Sequence, residues 1–178
     1  LKTPAWANDI RDFQIEGMSV GDSLLDYFSE EEIKNNLVKW YDDNTFKRVE
    51  FNKLKSFEIY DNVGISYKFG DRKYKIYSLS GIIFFTNNIN NCYKKMNEID
   101  NEITQIFKDA SKSGPKTLIY GKEYGDSNAK QIFYNLDSGG GTAIECIDWA
   151  PKLKPWTDNL SISLDTKEFR TWLIKVSN

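Results

Sequence analysis

The chain has 178 residues, enough for one hydrophobic core, and its 24 basic against 26 acidic residues leave a net charge of −2. With its lysines mixed among acids it lacks the basic stripe that displaces counterions from phosphates, so nucleic acid is not an expected partner. It contains no histidine, which removes Ser-His-Asp triads, Cys-His pairs and histidine zinc sites, and no apolar run approaches the ~20 residues of a membrane-spanning helix.

The chain opens Leu1-Lys2-Thr3-Pro4-Ala5-Trp6-Ala7. Ala5 and Ala7 stand at the two small-residue positions of a signal-peptidase site, so residues 1–7 are expected to be the tail of a secretory signal. That predicts export, to the periplasm or outside the cell. Residues 8–178 then form one domain, or two halves, 8–86 and 87–178, sharing a core. Aromatic residues make up 15% of the chain, so large rings supply core area that leucines would otherwise provide.

Ser19-x-x-Asp22 and Ser29-x-x-Glu32 are capping-box spacings. The first predicts a helix with Val20, Leu24, Leu25 and Phe28 on one face. The second predicts a helix with Ile33, Leu37 and Trp40 on one side, and Glu30, Glu31 and Glu32 in its first turn, where the helix dipole favours acids. Four strands are expected next, over 46–51, 56–60, 63–69 and 74–85, with a hairpin turn at Gly70-Asp71-Arg72. Cys92, Met96, Ile99, Ile103, Ile106, Phe107 and Ala110 recur at three and four, which predicts a long helix over 89–112 ended by Ser113-Gly114-Pro115. Strands follow over 117–120, 131–136, 142–148 and 159–164. Asp165-x-x-Glu168 is a further capping-box spacing ahead of Phe169, Trp172, Leu173 and Val176. The expected fold class is α+β, with antiparallel sheets packed against helices in the order α-α-β(3-4)-α-β(4)-α.

The order Ile15-Glu16-Gly17-Met18-Ser19-Val20-Gly21-Asp22-Ser23-Leu24-Leu25 resembles the Gly-Met-Ser/Thr helix that opens small exported folds of the outer-membrane-assembly lipoprotein and β-lactamase-inhibitor-protein type. The resemblance implies a helix pair ahead of an antiparallel sheet and a role in binding other proteins. The stretch continuing through Phe28-Ser29-Glu30-Glu31-Glu32-Ile33 is also similar to small uncharacterised exported bacterial proteins, which brings no activity with it.

Cys92 and Cys146 are the only cysteines. They form no Cys-x-x-Cys motif, and two thiolates without histidine make a poor metal site, so one disulfide in an oxidising compartment is expected. It would close a loop of about 55 residues, worth ~4 kcal/mol in the chain-entropy model. Gly139-Gly140-Gly141 reads as a hairpin loop, and the acids Asp42, Asp43, Asp9 and Asp12 as solvated carboxylates without the spacing of a calcium loop. Glu145 and Asp148 flank Cys146 on a strand and should face opposite sides. Two loops, 120–125 and 149–156, carry Tyr120, Tyr124, Trp149 and Trp156. Tyrosine and tryptophan give large contact area at low entropy cost, so these four are the candidate binding residues. No cofactor, metal or catalytic centre is expected. The reading is an exported binding module for an unknown protein or small ligand. The alternatives are a histidine-free hydrolase working with a carboxylate pair and a structural envelope component.

Overall fold

Stretches in which large apolar residues alternate with small or polar ones become strands, because successive side chains in a strand point to opposite faces. A computed structural model describes residues 9–86, 88–107, 109–153 and 156–176; the expected cleavage site at Ala5-Trp6-Ala7 lies outside them. The strands are β1 (Leu37–Val38), β2 (Phe46–Asn52), β3 (Asn62–Lys68), β4 (Ile76–Phe84), β5 (Ser111–Ile119), β6 (Asn128–Asn135), β7 (Gly141–Asp148) and β8 (Asn159–Asp165). All belong to one antiparallel sheet in the order β1-β2-β3-β4-β8-β7-β6-β5. The α-helices are α1 (Glu30–Asn35), α2 (Ile89–Ile106) and α3 (Lys167–Val176). This single eight-stranded sheet with three short helices overturns the expected order α-α-β(3-4)-α-β(4)-α.

Residues 19–28 form no α-helix. The Gly21 N–H donates to the carbonyl of Ile76 at 2.8 Å, and the Ile76 N–H donates to that of Asp22 at 2.9 Å. Gly17 and Gly21 take positive φ, 81° and 100°, a conformation only glycine adopts freely. The segment is thereby tied to the start of β4, with a single turn of 3-10 helix at Leu24–Asp26. Val20 and Leu24 are still buried. Their spacing fits the core without a helix.

The capping box of Ser29 and Glu32 does form, but α1 stops after six residues. Leu37 passes into β1 and Trp40 is 64% exposed. Residues 56–60 are no strand, since the Glu16 carboxylate accepts the N–H groups of Glu58, Ile59 and Tyr60 at 2.8–2.9 Å. The long helix ends at Ile106, not 112. Its apolar pattern is spent by Phe107, and the residues after Ala110 pair with β6 as β5. At α3 the cap is Thr166, whose hydroxyl accepts the Phe169 N–H at 3.3 Å, while Asp165 stays in β8.

One face of the sheet carries the core. Val49, Ile65, Leu79, Leu164, Ile162, Ile144 and Ile132 are buried there with Met96, Ile99 and Ile103 of α2 and with Phe13, Ile15 and Met18 of the opening segment. Cys92 in the first turn of α2 is disulfide-bonded to Cys146 of β7, with Cα atoms 6.0 Å apart. No helix among the described residues is long and apolar enough to cross a membrane.

The disulfide closes a 54-residue separation, so Cys92→Ala/Cys146→Ala is expected to lower the unfolding free energy by about 2–5 kcal/mol. Denaturant titration of parent and variant measures this. Coincident midpoints would mean that the cross-link adds nothing to stability.

Candidate functional site

The face of the sheet opposite α2 is built from small and polar side chains. Strand pairing sets them in rows. Gln131, Glu145, Ser161, Ile82 and Asn62 run across β6, β7, β8, β4 and β3. Beside them run Phe133, Ala143, Ser163, Ser80, Gly64 and Glu50, and then Asn135, Gly141, Asp165, Ser78, Ser66 and Arg48. Serines, glycines and an alanine put little side-chain bulk at the centre of this face, which is called the trough below.

Over β2, β3 and β4 the trough is filled. Arg48 is buried and lies flat on Gly64, where a Cβ would sit 1.8 Å from its Nη2. It donates through Nη2 to Ser80 Oγ and through Nε to Glu50 Oε1, each at 2.9 Å. The Trp40 ring lies 5.0 Å from the guanidinium. Nearby, the Ser78 and Ser163 hydroxyls donate to Asp165 at 2.6 and 2.8 Å. Burial raises the Asp165 pKa, and those two hydrogen bonds and the charges of Arg170 and Arg48 oppose the rise. Phe169 and Trp172 of α3 pack on Phe46 at 5.2 and 4.8 Å. The Trp172 Nε1–H donates to Asp43 at 2.8 Å.

Over β6, β7 and β8 the trough is half-buried, at Gln131, Ala143, Glu145, Ser161 and Ser163. The four aromatic residues singled out by the sequence meet at this end. Tyr120 stacks on Trp149 with ring centroids 5.4 Å apart. Trp156 meets Trp149 edge-on at 4.5 Å and lies nearly parallel to Tyr124 at 6.0 Å. Tyr120 and Tyr124 are 5.7 Å apart. Trp156 remains 50% exposed.

The loops that carry the rings are pinned by their own backbone. The Tyr120 N–H donates to the Ser127 carbonyl at 3.1 Å. The buried Ser127 hydroxyl donates to the Tyr124 carbonyl at 2.6 Å and accepts the Ala150 N–H at 2.8 Å. The Asp158 carboxylate accepts the Trp149 N–H at 2.9 Å. Glycine at 125, with φ of 66°, closes the turn after Tyr124.

Glu145 sits in the trough beside this cluster. Its Oε1 accepts from Gln131 Nε2 at 2.8 Å. Burial raises its pKa, and the hydrogen bond partly offsets the rise. The Tyr120 hydroxyl is pushed up to about 12, first by burial and then by the Glu145 charge.

The remaining candidates have structural work. Asp9 and Asp12 cap a 3-10 turn at Ile10–Asp12, Asp43 holds Thr45 and Trp172, and 139–141 close a hairpin through the Leu136 and Gly139 N–H groups. Asp148 accepts from Asn128 Nδ2 at 3.5 Å. Glu145 and Asp165 stand four residues apart along the register of β8, or ~13 Å at strand rise. Among the described residues no three or more Cys, Asp or Glu side chains group as a metal site. Sequence reasoning missed the trough itself. Its signal was present in Ser78-Leu79-Ser80 and Ser161-Ile162-Ser163, where large and small residues alternate.

Two variants test this geometry. Gly64→Ala would displace Arg48 from Ser80 and Glu50 and should cost about 1–3 kcal/mol in denaturant unfolding; a neutral outcome would show that Arg48 is not held there. The raised pKa of Glu145 means that the folded chain binds this proton more tightly than the unfolded chain. The stability it contributes is full below the ordinary glutamate pKa and is lost as pH rises through the raised one. Glu145→Gln should therefore gain melting temperature relative to the parent as pH rises above the ordinary glutamate pKa of about 4.3. A difference independent of pH would contradict the shift. No known protein family, curated protein or solved structure matches the chain, so its function is argued from this geometry.

Proposed function

We propose that the chain is an exported binding protein, periplasmic or secreted, that holds a ligand at Tyr120, Tyr124, Trp149 and Trp156 over the Glu145 end of the trough. The observation that carries this reading is the convergence of four rings, from two loops far apart in sequence, into one cluster that leaves Trp156 half exposed. Rings held by backbone hydrogen bonds lose little freedom when a ligand arrives, so more of the contact energy appears as affinity. The polar groups beside them, Gln131 and Glu145, supply direction. The Cys92–Cys146 disulfide supports an oxidising compartment.

Both halves of the proposal are tested on protein taken from its native source. Intact mass on unreduced material should be lighter by two hydrogens than after reduction, and free thiols there would remove export. Ligand retained from the surrounding fluid by immobilised parent should be lost on Tyr124→Ala/Trp156→Ala with unfolding unchanged. Equal retention by parent and variant would remove the site.

A further inference from the structure

We infer that the ligand of this site is a neutral saccharide of one or two units, an inference that rests on the binding reading above. Trp156 offers a half-exposed ring held edge-on by Trp149. One face of a pyranose is a row of C–H bonds, and these meet the negative face of an aromatic ring favourably. Tryptophan against a sugar ring also costs little entropy.

The polar side of the site has the matching chemistry. Glu145 accepts one hydrogen bond, at Oε1 from Gln131, and its carboxylate has further acceptor capacity. The Ser161 hydroxyl, in register with Glu145, both donates and accepts. A vicinal diol also donates and accepts, and a carboxylate–amide pair with a neighbouring hydroxyl satisfies it in both senses.

The alternatives fit less well. A quaternary ammonium needs ring faces spread around it, whereas these centroids lie 4.5–6.4 Å apart and the rings pack against one another. A phosphate or carboxylate ligand would face Glu145 and its charge. The same rings bound the size: Trp156 and Tyr120 are separated by at most about 10 Å through Trp149, so the cluster spans no more than two sugar units.

The disulfide-bonded protein is titrated with neutral mono- and disaccharides and, in parallel, with choline, following tryptophan emission and heat of binding. The expected result is saturable binding of at least one of these saccharides. Trp156→Ala should weaken it about tenfold or more, Trp156→Phe should restore part of the loss, and Glu145→Gln should weaken it without changing the emission of the free protein. Saturable choline binding that depends on Trp156, with no saccharide signal, overturns the saccharide and leaves the binding site standing. If no saccharide binds and native material is retained equally by parent and Tyr124→Ala/Trp156→Ala, both the saccharide and the site fall.

Discussion

The pairing of β4 with β8 is the constraint on which the rest of the molecule depends. It joins the β1–β4 and β5–β8 meanders into one sheet, with Leu79 opposite Leu164 and Gly81 opposite Ile162. The same register sets Ser78 beside Asp165 and Ser80 beside Ser163 on the other face. Because side chains alternate, a slip of one residue would turn the serines into the core and the leucines out of it. The apolar cost of that slip is what holds the polar face in place. The disulfide from α2 to β7, one strand from the seam, pins the covering helix to the same register.

A polar sheet face that is partly buried must satisfy its own groups, since an unpaired buried charge costs several kcal/mol. Over β2, β3 and β4 this is done internally for the charged groups, while the buried Asn62 Oδ1 keeps no partner among the described residues. Arg48 bridges Glu50 and Ser80, two serines hold Asp165, and α3 closes one end with Phe169 and Trp172. Over β6, β7 and β8 it is done only in part. Glu145 has one amide partner and stays half-buried. The two sides of the sheet thus differ: on one, Arg48 and Asp165 are paired by neighbouring side chains, and on the other Glu145 has Gln131 as its hydrogen-bond partner among the described residues.

Periodicity made α2, α3 and most strands legible in the sequence, because Met96, Ile99 and Ile103 or Ile144 and Cys146 declare their faces without help from the rest of the chain. It failed where tertiary pairing outweighed local spacing. Val20, Leu24 and Phe28 have helical spacing, yet Gly17 and Gly21 and the backbone of Ile76 draw that segment into turns. The strand expected over 117–120 begins earlier, at Ser111: residues 111–116 are polar and carry Gly114 and Pro115, and they join it because β6 presents an edge for them to complete. Glu16 reaches three amides more than forty residues away, a contact no local pattern announces. The four aromatic residues were legible as types suited to loops and binding. That they meet was not, since their meeting depends on β5 and β7 ending, and β6 and β8 beginning, at the same end of the sheet. The trough was hidden for a related reason: serine in alternate positions reads as a solvated face until the neighbouring strands are known.

The two ends of that trough are made of the same materials, rings over a small-residue floor with a carboxylate in it, and the contrast between them carries the functional argument. At the α3 end Tyr41, Phe46, Phe169 and Trp172 pack on one another, and the indole N–H of Trp172 is spent on Asp43. At the Tyr120 end the loops spend their hydrogen bonds on each other's backbone rather than on the rings. Ser127 and Asp158 fix the positions of Tyr124 and Trp149 while the ring of Trp156 stays half open. Here the four rings pack on one another near Glu145 while Trp156 stays half exposed, and the ligand-binding proposal rests on that difference.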